Sequence, residues 1–188
     1  MNCLQPRSVS ERTTILAALN ILWLLVSCGS QTIVVPEDPV YPTSGTASID
    51  SRKPQGYMGS GFYFATAQVI YYPNTSQVFP DLPVMSDSLH QPRFWSIDGN
   101  SAFKLLESSS DSAAAWAYFD SLAALDDTAG FSGSLSGISR FQTIVVRADG
   151  RKYAKVLITR AAVNDSNIAE VTFRWSYQPS GSTTFPSP

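Results

Sequence analysis

Hydrophobic and polar positions along this chain fall into three regimes. The first is N-terminal: Met1–Arg12 is largely polar and carries Arg7 and Arg12, and Ile15–Val26 is then apolar all round, broken only by Asn20. A membrane-spanning helix needs about 20 apolar residues and a secretory h-region about 7–15, so this run predicts an export signal and not a span. A buried amphipathic helix would show a polar stripe, which is missing here. The second regime covers residues 29–55, with Pro36, Pro39, Pro42 and Pro54 among Ser, Thr and Gly, and Ile33-Val34-Val35 its one run of three apolar residues. Such a composition buries too little surface to offset its ordering entropy and predicts a flexible tether with a reach of about 30 Å r.m.s..

The third regime, from Gly56 to the end, predicts a folded domain. Phe62–Tyr72 is rich in aromatic and β-branched residues on both alternating sets and reads as one strand covered on both faces. A loop with Pro80, Pro83 and Pro92 follows, carrying Asp81, Asp87 and the single histidine, His90; Phe94–Ile97 and Ala102–Leu106 read as short strands. Ser108–Asp111 offers N-caps to an alanine-rich helix with Trp116, Phe119 and Ala123 on one face and Ala115, Tyr118, Leu122 and Leu125 beside it, ending at Asp126-Asp127. Gly130, Gly133 and Gly137 mark residues 129–139 as a mobile loop.

The C-terminal third is a meander. Phe141–Ala148 and Arg151–Arg160 flank Asp149-Gly150, the preferred pair of a two-residue type I′ turn. Val145, Val146, Val156, Leu157 and Ile158 place apolar groups on both faces, as central strands do. In the last strand Val171, Phe173, Trp175 and Tyr177 face one way, and Glu170, Thr172, Arg174 and Ser176 the other. The predicted class is mainly β (α+β): an antiparallel sheet or sandwich over residues 56–188, with one packed helix.

The end of the apolar run refines the export reading. Leu25-Val26-Ser27-Cys28 resembles the lipobox of bacterial lipoproteins. The resemblance implies that residues 1–27 are a signal peptide removed before Cys28, that the Cys28 sulfur takes a diacylglyceryl group, and that the protein is held on a membrane by lipid. Two or more acyl chains anchor stably where one is marginal. Residues 28–55 are then the lipidated cysteine and its tether. Gly29, where enteric lipoproteins retained at the inner membrane carry Asp, points to the outer membrane; sorting rules differ among bacterial groups, so membrane and leaflet stay open.

Cysteine arithmetic follows from this. The chain has two cysteines; Cys3 leaves with the signal and Cys28 is consumed by lipid, so no intramolecular disulfide or thiolate metal site is expected. The remaining chain of about 160 residues suits one domain stabilised by packing. The formal net charge of −2 is too mild for nucleic-acid binding. Charge is unevenly spread, however: Arg140, Arg147, Arg151, Lys152, Lys155, Arg160 and Arg174 gather in the last strands. They form either a solvated strand face or a surface for an acidic partner.

No catalytic set emerges. One histidine excludes paired-His metal sites, and Gly133-Ser134-Leu135-Ser136-Gly137 has leucine at the centre where a nucleophile elbow needs serine. Phosphate loops, zinc spacings and calcium loops are missing; two carboxylates could meet in space, Asp81 and Asp87 for instance, but acidic loop residues are usually solvated. The reading is non-enzymatic, with no cofactor assigned. The aromatic residues, Trp95, Trp116 and Trp175 among them, line a pocket or form the core.

Asp149-Gly150-Arg151-Lys152-Tyr153-Ala154-Lys155-Val156 and Ala169–Trp175 resemble the closing strands of the HmuY-like lipoproteins of Bacteroidota, over roughly the last 45 residues. The resemblance implies a lipid-anchored, mostly β protein; characterised members capture haem through histidine or methionine side chains. Here paired-His ligation is impossible, and His90 with Met58 or Met85, the remaining candidate haem-facing set, has no motif behind it, so the resemblance implies fold and address and not haem binding. Two functions stay open: an accessory lipoprotein that docks on another cell-envelope protein, or a lipoprotein that captures a small ligand such as haem.

Overall fold

The computed structural model of the chain describes residues 40–186. The expected signal peptide, the expected lipidation site Cys28 and the first part of the expected tether lie outside them.

Ten strands form two antiparallel sheets of five. The first sheet orders β1 (Ser44–Asp50), β10 (Ala169–Gln178), β9 (Lys152–Val163), β8 (Gln142–Ala148) and β6 (Ala102–Ser108). The second orders β3 (Gln68–Tyr72), β2 (Gly59–Tyr63), β4 (Leu82–Ser86), β5 (Pro92–Trp95) and the two-residue β7 (Ser134–Leu135). The sheets pack as a sandwich around one core, in which Phe62, Phe64, Leu82 and Phe94 meet Ile144, Val156, Ile158, Phe173 and Trp175. Seven aromatic residues are therefore part of this core, Phe103 and Tyr177 among them. Phe62 sits edge-on to Phe64 and Phe173, and Phe64 stacks on Tyr177 at 5.7 Å.

The first sheet is buried on its outer face as well. Every residue of β9 from Tyr153 to Ile158 is buried, because Val156 and Ile158 point into the sandwich while Lys155 and Leu157 point outward under a cover. Part of that cover is helix α1 (Ser112–Ser121), capped by Asp111, which accepts from the N–H groups of Ala113 and Ala114. Its Ala115 and Phe119 pack on Leu157. The C-terminal segment supplies the rest: Phe185 joins Leu125, Val145 and Tyr153, and Leu125 N–H donates to Thr183 O at 2.9 Å.

Lys155 ties these layers together. It is 1% exposed, and its Nζ donates to Phe119 O and Leu122 O, both at 2.8 Å. These carbonyls close the C-terminal end of α1, where a cation complements the helix dipole. Arg174 stands next to it, paired with Asp120 at 3.0 Å and lying over the Trp116 ring.

Four local expectations are corrected. The tether does not run to residue 55: β1 lies inside it and pairs residue for residue with β10 from Ser44↔Ser176 to Asp50↔Glu170. Ladder hydrogen bonds and one buried side chain, Ile49, order a segment whose small polar side chains predict none. Phe62–Tyr72 is a hairpin, not one strand; it turns at Ala65–Ala67, where Ala67 takes φ 53° and its N–H donates to Phe64 O. The β8–β9 connection has three residues, Asp149–Arg151, not two, with Gly150 and Arg151 both left-handed and Ala148 paired to Lys152. Residues 129–139 are held: Ser132 bridges Phe103, Ser134 and Leu135 pair with β5, and Ile138 is buried.

Replacing Lys155 by methionine keeps the volume and leaves both helix carbonyls without their donor. The expected loss is about 1–3 kcal/mol, read as a lower urea midpoint at unchanged slope. An unchanged midpoint would remove Lys155 from the account of how α1 is held.

Candidate interaction face

The two outer faces of the sandwich differ. The first sheet is covered by α1 and the C-terminal segment, whereas the second sheet carries an open face. Strand alternation explains which residues it shows: Val84 and Phe94 enter the core, so their neighbours Met85 and Trp95 point out. Met58, just before β2, joins them. Met58 is 63% exposed, Trp95 41% and Met85 37%. Together with Ile97, Pro83 and Lys53 they line a pocket of about 70 Å³. β2 lies flat here because Gly59 and Gly61 carry no side chain; a Cβ at Gly61 would come within 2.5–2.7 Å of the Leu82–Pro83 backbone. A second, more open groove of about 380 Å³ flanks β3, lined by Tyr57, Tyr63, Ile70, Tyr71 and Asn74 among others.

Of the candidate haem-facing residues, Met58 and Met85 thus share one pocket. His90 does not line it; it sits left-handed and exposed in the β4–β5 connection. The carboxylates Asp81 and Asp87 are not brought together either. They flank opposite ends of β4, and Asp87 accepts from the N–H groups of Leu89 and Gln91 within its own loop. Among the described residues no group of three or more His, Cys, Asp or Glu is placed to hold a metal, and no helix is long and apolar enough to cross a membrane.

Five of the seven basic side chains in the last strands make intramolecular contacts. Lys155 is buried on helix carbonyls and Arg174 is paired with Asp120. Arg160 lies 3.8 Å from Glu170, and Arg140 and Arg147 lie over the rings of Phe141 and Phe131. Intramolecular contacts engage most of the excess charge.

Among the described residues Asp81 is the one strongly perturbed acid, which the sequence offered only as a candidate carboxylate partner of Asp87. It is 2% exposed; Oδ2 accepts from Phe64 N–H at 2.9 Å and Oδ1 from Asp149 N–H at 3.3 Å, linking β2 to the β8–β9 turn. Burial pushes its carboxyl up from 3.8 to about 6, the charges of Asp149 and Asp98 add to the rise, and the two N–H donors oppose it. Burial also raises Tyr177 and Tyr63. Asp81 and Tyr63 line a pocket of about 260 Å³ together with Asp98, Ser101 and Asp149.

Comparison with protein-family models and with curated proteins finds no match for this chain.

Asp81 yields a pH prediction. The folded chain holds its proton to higher pH than the unfolded chain, so this group's contribution to stability falls as pH rises from about 4 to about 6, by up to about 3 kcal/mol, and is flat above. Urea unfolding of the parent and of Asp81→Asn across that range should differ by this slope; parallel pH profiles would contradict it.

Proposed function

We propose that the chain is an exported lipoprotein, anchored by lipid on Cys28 in the cell envelope, whose β sandwich is a non-catalytic module that docks on another envelope protein. Gly29 favours the outer membrane as its address. The observation that carries the docking reading is the open face of the second sheet: Met58, Met85 and Trp95 stand exposed around a small apolar pocket, on the side of the sandwich that α1 leaves uncovered. Exposed aromatic and methionine side chains around a pocket are the usual anchoring elements of protein interfaces. The basic strands carry this reading less than the open face does, because Lys155 is buried and Arg174 is paired within the chain.

Haem capture is the second reading, favoured by Met58 and Met85 lining one pocket and by the resemblance of the closing strands to HmuY-like proteins. Size argues against it. Pockets for drug-sized ligands run to about 300–1,000 Å³, and a cavity of about 150 Å³ takes only benzene. A pocket of about 70 Å³ fits a small apolar group from a partner, not a tetrapyrrole. The roomier groove beside β3 lacks both His and Met.

Photo-crosslinking residues placed at Met85 and at Trp95 of the full chain, in its own host, should capture one envelope protein. The same residue at Ser121 on α1 should not, and Met58→Asp should abolish capture from Met85. Equal capture from all three positions, or none from Met85 and Trp95, would contradict docking through this face. Haemin titration of the protein should leave the Soret band unshifted at micromolar haemin; a saturable shift would favour the second reading.

The anchor has a separate test. Cys28→Ala should accumulate unprocessed precursor and lose labelling by acyl-chain precursors; unchanged labelling would overturn the lipid anchor.

A further inference from the structure

We propose that the free edge of β3 accepts an extended segment of the envelope partner as an added, hydrogen-bonded strand; the proposal rests on the docking reading above. Among the described residues β3 ends the second sheet, with β2 on one side and no strand on the other. Its hydrogen-bond directions follow from its neighbour. Phe62 O accepts from Asp81 N–H and Phe64 N–H donates to Asp81 Oδ2, so the Phe62 carbonyl and the Phe64 N–H turn away from β3 toward the β4 side. In an antiparallel ladder the Phe62↔Val69 and Ser60↔Tyr71 pairs are then the non-hydrogen-bonded ones. The N–H and C=O of Val69 and of Tyr71 consequently point to the free edge. Asn74 Nδ2 donating to Tyr71 O at 2.9 Å agrees with that direction and leaves the second lone pair of that carbonyl available.

Edges are ordinarily blunted by charge, proline, bulges, brevity or a cover, and β3 differs from the other three edges in this respect. β6 carries Lys104 and Glu107, is bulged between Leu105 and Glu107, and is bridged by Ser132. β7 has two residues. β1 presents mostly Ser, Gly, Thr and Ala, which give an incoming strand little to pack against. β3 reads Gln68-Val69-Ile70-Tyr71-Tyr72: no charge, no proline, no bulge, and Val69 and Tyr71 exposed. Strand addition uses such main-chain groups for affinity and flanking pockets for alternate side chains. The flanking groove of about 380 Å³ supplies the pockets.

The occupant is a partner segment and not a second copy. Two five-residue edges would bury far less than the about 1,200 Å² typical of stable protein pairs, and a second β3 would leave the groove walled by Asn74, Ser76 and Val78 unfilled. No charged residue lines that groove, so the segment it fits is extended and uncharged, with apolar or aromatic side chains at alternate positions.

The test uses the full chain in its host with the Met85 crosslinker. Val69→Pro removes an N–H that makes no bond to β2, so the ladder survives; Val69→Lys keeps the backbone and adds an edge charge, should the proline variant fold poorly. Both should reduce capture at least tenfold. In the captured complex, amide exchange at Val69 and Tyr71 should slow at least tenfold relative to the purified chain. Undiminished capture by Val69→Lys with unchanged exchange at both amides overturns strand addition and leaves docking standing. No capture by the parent overturns both. Capture of a second copy of this chain, sensitive to Val69, overturns the assignment to a partner segment.

Discussion

Burial of β9 on both faces is the constraint on which the rest of this fold depends. With no disulfide among the described residues, the sandwich relies on layers packing on a common strand. Val156 and Ile158 join the core between the sheets, while Leu157 and Lys155 hold α1 on the outside. A charged side chain at the centre of that outer layer is tolerated because the end of α1 offers two carbonyls that need a donor, and Lys155 satisfies both. The C-terminal segment completes the layer through Phe185.

That arrangement has a functional consequence. One helix and one terminal segment cover one sheet, and nothing else among the described residues covers the other. The second sheet keeps its core side, Leu82, Val84 and Phe94, and shows Met85 and Trp95 on the reverse. A chain that covers one apolar face and leaves another open invites an interaction there. The glycines of β2 keep the centre of that face low, so that Met58, Met85, Trp95 and Ile97 rim a hollow. The unblunted edge of β3 lies at the margin of the same sheet.

Much of this was legible in the residues, for physical reasons. The alternation of Val171, Phe173, Trp175 and Tyr177 identified β10 because one face is core and the other is half-exposed, and the doubly apolar β8 and β9 announced two buried faces. Asp111 capped α1 as its position suggested. What escaped depends on partners distant in sequence. β1 is ordered by its ladder with β10, which side-chain composition does not register. The turn at Ala65–Ala67 lacks the Gly, Asn or Pro that marks a hairpin. The open face was hidden for a related reason: Met85 read as part of a loop and Trp95 as an ordinary strand residue until it is known which sheet the helix covers. The basic C-terminal strands left open either a solvated face or a surface for an acidic partner, and the fold pairs Arg174 with Asp120 and lays Arg147 over a ring.

The most direct test of the central claim is an oxidative footprint of Met58, Met85 and Trp95 in intact host cells, compared with the purified full chain. Trp116 on α1, exposed to a similar degree as Met85, is the internal reference. Methionine and tryptophan side chains report their own accessibility through oxidation rates. Docking through the open face predicts that the three side chains are protected in cells by several-fold while Trp116 oxidises equally in both settings. Equal oxidation of all four in cells and in isolation would contradict it.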